Sequence, residues 1–216
     1  MLIYVFMFGY VFKSKQQYFA IFVFIGITLW DFFNKSLVQS VKLIKANKPI
    51  VSKVYLPKFI LILVKMGVNG FKMFISLLII VAMLAVWRVP ITYNVIYMIP
   101  ILMTLIVLVF GFSCFLLHYG VFVEDLSNVL NIALRFLFYL TGIFWNIMDR
   151  LPAPYNSYIG RCNPIAFLLT SARDCVIYGS TPHRKLLLLW FVIGLIISAL
   201  GVRKIYKNEN SYVKVI

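Results

Sequence analysis

Acidic residues are scarce in this chain: six Asp and Glu stand against 21 Lys and Arg, a formal net charge of +15. Charged residues of either sign make up only 12% of the 216 residues, whereas 63% are hydrophobic. That is too little polar surface to cover a soluble globule of this size, so water is excluded as the main solvent. Cysteine is equally sparse. Cys114, Cys162 and Cys175 show neither a Cys-x-x-Cys nor a Cys/His spacing suited to a metal, and free thiols are expected. His118 and His183 are isolated interfacial residues, and nothing near either completes a catalytic or metal constellation. No glycine-rich stretch closes in Gly-Lys-Ser or Gly-Lys-Thr, so the chain has no P-loop with which to cradle ATP phosphates. No enzyme chemistry is indicated.

What the sequence does contain is a succession of apolar runs. A helix needs roughly 20 mostly apolar residues to cross the ~30 Å hydrocarbon layer. The run from Met1 to Phe12 is too short for this and lacks a basic leader and a small-residue cleavage site. It is either an interfacial segment or the remainder of a first transmembrane helix, and the second is the expectation. After the polar break at Lys13-Ser14-Lys15-Gln16-Gln17, a helix is expected from Tyr18 to about Val38. Asp31, Lys35, Gln39 and Lys42 share one of its faces, a stripe that should avoid lipid. A second span is expected from Phe59 to Trp87, with Lys65, Asn69 and Lys72 on one side and its lysines able to snorkel. The third, Val95 to Leu117, has Pro100 to kink its first turns. Glu124-Asp125 suit the positive end of the next helix, which should run to Trp145 with Asn128, Asn131 and Arg135 on one face. Leu186 to Val202 is the last span, and Arg203, Lys204 and Lys207 hold a short tail in the cytoplasm.

Two stretches are too polar or too broken to cross. Residues 42–57 are lysine-rich and interrupted by Pro49 and Pro57, which suits an amphipathic connection on the cytoplasmic surface. Residues 146–182 carry Pro152, Pro154, Pro164 and Pro182 among aromatics and charges, and read as helices that dip into or lie on the outer surface. Arg150, Arg161, Arg173, Arg184 and Lys185 fall on that outer side, so the positive-inside count alone is nearly balanced. Basic residues set between apolar runs attract anionic lipid headgroups at about 1 kcal/mol each. Interfacial anchoring therefore accounts for the net charge better than nucleic acid does.

The residues Asn47-Lys48-Pro49-Ile50-Val51-Ser52-Lys53-Val54-Tyr55-Leu56-Pro57 resemble the cytoplasmic connection of polysaccharide-exporting ABC-2 permeases. There an Asn, a hydrophobic-Lys-Val element and an aromatic-x-Pro lead into a membrane helix. The resemblance recurs in order along the chain. Gly26 to Phe33, with Trp30 and Asp31, is similar to the family's Gly-x-x-x-Trp-x-Phe-Phe helix. Phe122 to Leu126 stands at its aromatic-x-Arg-Asp turn, Phe138 to Trp145 at its Ser-Pro-Ile stretch, and Asn163-Pro164-Ile165 with Arg173 at its outer re-entrant region. Two departures stand out: Glu124 replaces the usual Arg of a local charge pair, and Thr141-Gly142 replaces Ser-Pro, removing a kink.

The resemblance implies an all-α integral membrane protein with the ABC-2 (type V) exporter fold. It would have about five complete transmembrane helices, an N-terminal remnant of the first, a cytoplasmic coupling helix and outer re-entrant helices. Residues 1–216 would form one transmembrane domain lacking the family's N-terminal interface helix, with coupling at 42–57 and a gate at 146–182. Such a permease is multi-pass in the bacterial cytoplasmic membrane and exports a lipid-linked cell-surface polysaccharide of teichoic-acid, O-antigen or capsule type. It acts as a homodimer among membrane lipids, with an ABC ATPase subunit that holds the ATP and Mg. Lys45, Asn47, Pro49, Val51, Lys53, Val54 and Pro57 would meet that ATPase. Trp30, Phe33, Tyr139, Trp145, Asn163, Pro164 and Arg173 are the candidates for pathway and gate, although aromatics also serve as ordinary packing. Asp31 and Arg135 lie at similar depth and form a candidate ion pair; Arg135 steering an anionic pyrophosphate is the other role open to it. Alternatives in function are an ABC-2 permease for a drug or lipid, and a secondary transporter or channel. The absence of an inverted repeat with paired broken helices counts against the latter.

Overall fold

A backbone surrounded by hydrocarbon has no water to bond, so it must satisfy its own amides, and the helix does this locally. The computed structural model describes residues 18–53, 57–90, 92–145, 155–209 and 211–212, and among these all regular structure is helical. In chain order the helices are α1 (Phe19–Val41), α2 (Leu43–Ala46), α3 (Lys48–Lys53), α4 (Phe59–Val86), α5 (Met98–Phe122), α6 (Leu126–Leu140), α7 (Tyr155–Cys162), α8 (Pro164–Val176) and α9 (Arg184–Lys207). The expected remnant span at Met1–Phe12 lies outside the described residues.

Four helices are long and apolar enough to cross a membrane: α1, α4, α5 together with the 3-10 turn Tyr93–Tyr97 before it, and α9. Pro100 falls in the first turn of α5, where an amide has no intrahelical acceptor to lose. The expected fifth span is shorter than the sequence suggests. α6 has 15 residues, about 22 Å at ~1.5 Å per residue, and stops at Leu140 rather than Trp145. The stop is local: Thr141 N–H turns back to Phe138 O at 3.4 Å, and Gly142 adopts a φ of +66°, which ends a helix cheaply only at glycine. Loss of the family's Ser-Pro therefore does not abolish the break, because Gly142 supplies it.

The chain groups into two compact units whose boundaries fall inside the long helices. One comprises Met1–Asp31, Lys72–Leu102 and Leu137–Leu188, the other Phe32–Phe71, Met103–Phe136 and Leu189–Ile216. At the centre of the first is α8, whose 13 residues bury Ile165, Ala166, Phe167, Leu168, Leu169, Ala172, Cys175 and Val176 on all sides. A helix buried on all sides belongs in an interior, and this one is too short to span.

The second unit is organised by a close crossing of α5 and α9. Gly111 and Cys114 on α5 meet Gly194, Ser198 and Gly201 on α9, and Ser198 Oγ donates to Val107 O at 2.9 Å. Helices in lipid gain nothing from excluding water between them, so small residues that allow close van der Waals approach drive their association. A Cβ added at Gly201 would stand 2.6 Å from Cys114 Cβ. Gly201→Ala should therefore destabilise the chain by about 1–3 kcal/mol, the usual cost of overpacking. Thermal unfolding in detergent micelles should show this, and Cys114→Gly in the same chain should restore most of the loss.

Candidate functional site

The polar centre of the first unit is Arg173, buried at 3% exposure on α8. Its guanidinium donates from Nε to Phe22 O at 3.1 Å, from Nη1 to Gly142 O at 2.9 Å and from Nη2 to Ile143 O at 2.7 Å. The planar fork also lies over the Phe22 ring, 3.6 Å from its centroid, a cation–π contact. Gly26, one turn after Phe22, leaves the space that Nη2 occupies; a Cβ there would collide with it. Arg173 thus fastens α8 to the start of α1 and to the break after α6. The carbonyls just beyond a helix C-terminus carry partial negative charge, which is the environment an unpaired guanidinium needs.

Asn163 and Pro164 form the entry to the same helix. Asn163 Oδ1 accepts from Ile165 N at 3.1 Å and Ala166 N at 3.3 Å, an N-cap followed by proline at the position that needs no amide. Its Nδ2 reaches Thr141 Oγ1 at 3.5 Å, and Thr141 in turn donates to Leu137 O at 2.5 Å. The Asn-Pro motif, Arg173 and the Thr141-Gly142 break therefore converge on one joint.

The candidate pathway aromatics separate by burial. Trp30 and Phe33 are buried; Trp30 meets Phe138 edge-on, with ring centroids 5.5 Å apart. Tyr139 is 70% exposed and Trp145 is half-buried. The polar face of α1 also divides. Lys35, Gln39 and Lys42 are exposed and Asp31 is half-buried, whereas the opposite face is packed by Phe32, Phe33, Leu37 and Val41. Asn69, buried on α4, donates to Ser36 Oγ and to Gln39 Oε1, both at 3.1 Å. Lys65 and Lys72, a turn to either side, are exposed, and so is Arg135 on α6.

The expected coupling segment contains two short helices, α2 and α3, joined at Asn47, whose Nδ2 donates to Leu43 O at 2.7 Å. Lys45 and Pro49 are exposed, as are Lys42 and Lys48; Pro57 is half-buried. Val51 is buried within the chain. The side chain of Lys53 and all of Val54 lie outside the described residues.

Two buried polar pairs escaped sequence reasoning. His118, expected to be an isolated interfacial residue, is buried and bonds through Nδ1 to Tyr212 Oη at 2.8 Å. Lys58 pairs with Glu209 at 3.2 Å. The one legible signal was Glu209 itself, an acidic residue in a run otherwise rich in basic ones.

Four apolar helices of spanning length, fastened by buried polar groups that link helix ends, define a multi-pass bacterial membrane protein. No family model matches the sequence. Over its whole length the chain is similar to two O-antigen export system permease proteins RfbA of Klebsiella pneumoniae, 24% and 23% identical, and it covers 82% of each. The resemblance to polysaccharide-exporting ABC-2 permeases, drawn from the ordered motifs, is borne out by these relatives.

The Arg173 node can be tested directly. Arg173→Lys keeps the charge, but one ammonium cannot reach three carbonyls from a planar fork, so a loss of about 2–4 kcal/mol is expected. Gly26→Ala should also destabilise, by displacing the guanidinium. Because the two act on one contact, the double variant should lose clearly less than the sum of the singles in thermal unfolding.

Proposed function

We propose that this chain is the transmembrane permease subunit of an ABC exporter that moves a lipid-linked cell-surface polysaccharide of O-antigen type across the bacterial cytoplasmic membrane. The observation that carries the proposal is the similarity to two O-antigen export permeases over the full length of the chain. Teichoic-acid and capsule polymers share the chemistry of a lipid-linked glycan, and the relatives' names favour O-antigen among them. ATP and Mg belong to a separate ATPase subunit, whose hydrolysis supplies the work.

The physical reading supports a homodimer with the route between copies. A charge facing hydrocarbon costs at least ~2.5 kcal/mol on insertion scales, so the exposed polar face of α1 needs cover. α6 likewise leaves Val129, Ile132, Phe136 and Tyr139 exposed and buries only Ser127 and Leu134 among its residues. A second copy would cover these faces and leave a polar lane for the glycan, with Tyr139 and Trp145 as its aromatic candidates and the joint of Asn163, Pro164 and Arg173 as its outer gate. Asp31 and Arg135 form an intramembrane ion pair in this reading. Either single charge reversal should abolish export, and the exchanged pair Asp31→Arg with Arg135→Asp should recover it, judged by surface glycan.

Residues 42–57 dock the ATPase. The exposed Lys45, Lys48 and Pro49 are the contact, while Asn47, Val51 and Pro57 set its shape, so the informative substitutions are those on the exposed side. Expressed with its ATPase in a bacterium lacking its own O-antigen permease, the chain should restore surface O-antigen and retain the ATPase on gentle detergent extraction. Lys45→Glu with Lys48→Glu should weaken ATPase capture by about tenfold at low salt and less at high salt. Normal extraction with no ATPase retained, together with no surface glycan, would overturn the reading.

A further inference from the structure

The last turn of α9 and the described residues after it make specific contacts. Tyr212 is fully buried, with its hydroxyl on His118 and its ring 6.1 Å from that of Phe122. Glu209 holds Lys58, and the ring of Tyr206 lies 5.7 Å from that of Phe59. Lys204 Nζ donates to Tyr119 Oη at 2.6 Å and sits over the same ring, while Asn208 Nδ2 bonds back to Lys204 O. These contacts bind Lys204, Tyr206, Glu209 and Tyr212 to the end of α5 and to Lys58-Phe59, where the chain leaves Pro57 and enters α4. One of the chain's six acidic residues, Glu209, is buried against a lysine at the joint.

We infer that residues 204–212 form a clasp that positions the joint between the coupling segment and α4, so that displacement of residues 42–57 by a bound ATPase enters α4 rather than dissipating at Pro57. The role in transport rests on the coupling reading above; the positioning of the joint does not. Lys58, Glu209, His118 and Tyr212 are positioning residues. The lysine and glutamate supply direction through charge, and the histidine and tyrosine fix the far end by hydrogen bond and ring contact. Removing one member of a buried charged pair leaves the other uncompensated, which is why the pair acts as a unit.

The test uses the full chain with its ATPase in lipid nanodiscs. Hydrogen exchange should show the amides of residues 58–62 and 204–212 protected together. Glu209→Gln should raise exchange in both stretches while leaving ATPase capture unchanged. In the same complex, glycan exported per ATP hydrolysed should fall by about tenfold, the scale on which a charge-assisted contact acts. The exchange of charges, Lys58→Glu with Glu209→Lys, should recover both readouts, which loss of general stability would not produce. Free exchange of 204–212 in the unaltered chain would overturn the clasp. So would Glu209→Gln loosening the tail while the joint and the export ratio stay unchanged. If the unaltered complex exports no glycan while joint and tail still loosen together, the exporter reading fails and the clasp stands.

Discussion

A guanidinium buried on α8 and bonded to three backbone carbonyls is the constraint around which the first unit is arranged. Desolvating Arg173 is costly, and no acidic side chain bonds it; its three donors instead meet the carbonyls of Phe22, Gly142 and Ile143. Each acceptor then dictates something further. Gly142 and Ile143 can offer their carbonyls only because α6 ends at Leu140. The Phe22 carbonyl is reachable because Gly26 presents no side chain. Lysine would not serve, since its single ammonium lacks the planar fork that reaches three directions at once. The exchange is mutual. Carbonyls freed by a helix break inside a membrane protein need donors as much as the arginine needs acceptors.

The long spans were legible because their signal is composition, and composition survives ignorance of packing. Phe59 to Trp87 differed from α4 by a single residue at its end. The end of α6 was not legible, because Leu140-Thr141-Gly142-Ile143-Phe144-Trp145 continues the apolar run and hides one glycine whose φ stops the helix. Arg173, Asn163 and Pro164 were found as motif residues, yet Arg173's acceptors are backbone atoms, which carry no sequence signature. Contacts across long separations were the least legible. Lys58 and Glu209, or His118 and Tyr212, read one at a time as interfacial charge and lone histidine, and become pairs only when the fold brings their helix ends together.

The polar face of α1 raises a question of solvent rather than of pairing. On a soluble protein, exposed Lys35, Gln39 and Lys42 would need no explanation. On a helix of spanning length the same exposure is costly at depth, and snorkelling relieves it only near an end, as it does for Lys42. Gln39 is partly held by Asn69, and Lys35 lies deeper than either. Lys35, Gln39 and Lys42 thus stand on one side of α1 and bulky apolar residues on the other, a division that hydrocarbon on both sides would not account for.

Two kinds of polar contact occur in these units, and the difference bears on which contacts can rearrange. Arg173 bonds only to backbone carbonyls, so no rotamer change on the acceptor side can release it; breaking the contact means unwinding the chain near Gly142 or shifting α1 as a body. Such a node suits a part that must move rigidly or not at all. In the second unit, Lys58–Glu209, His118–Tyr212, Lys204–Tyr119 and Asn69 with Ser36 and Gln39 are side chain to side chain. Each partner has rotatable bonds and can exchange one acceptor for another without disturbing a helix. Discrete rearrangements in packed proteins draw on contacts that can swap in this way, because tightly packed cores do not deform continuously. Lys58–Glu209, His118–Tyr212 and Lys204–Tyr119 cluster where α4 begins and where α5 and α9 end.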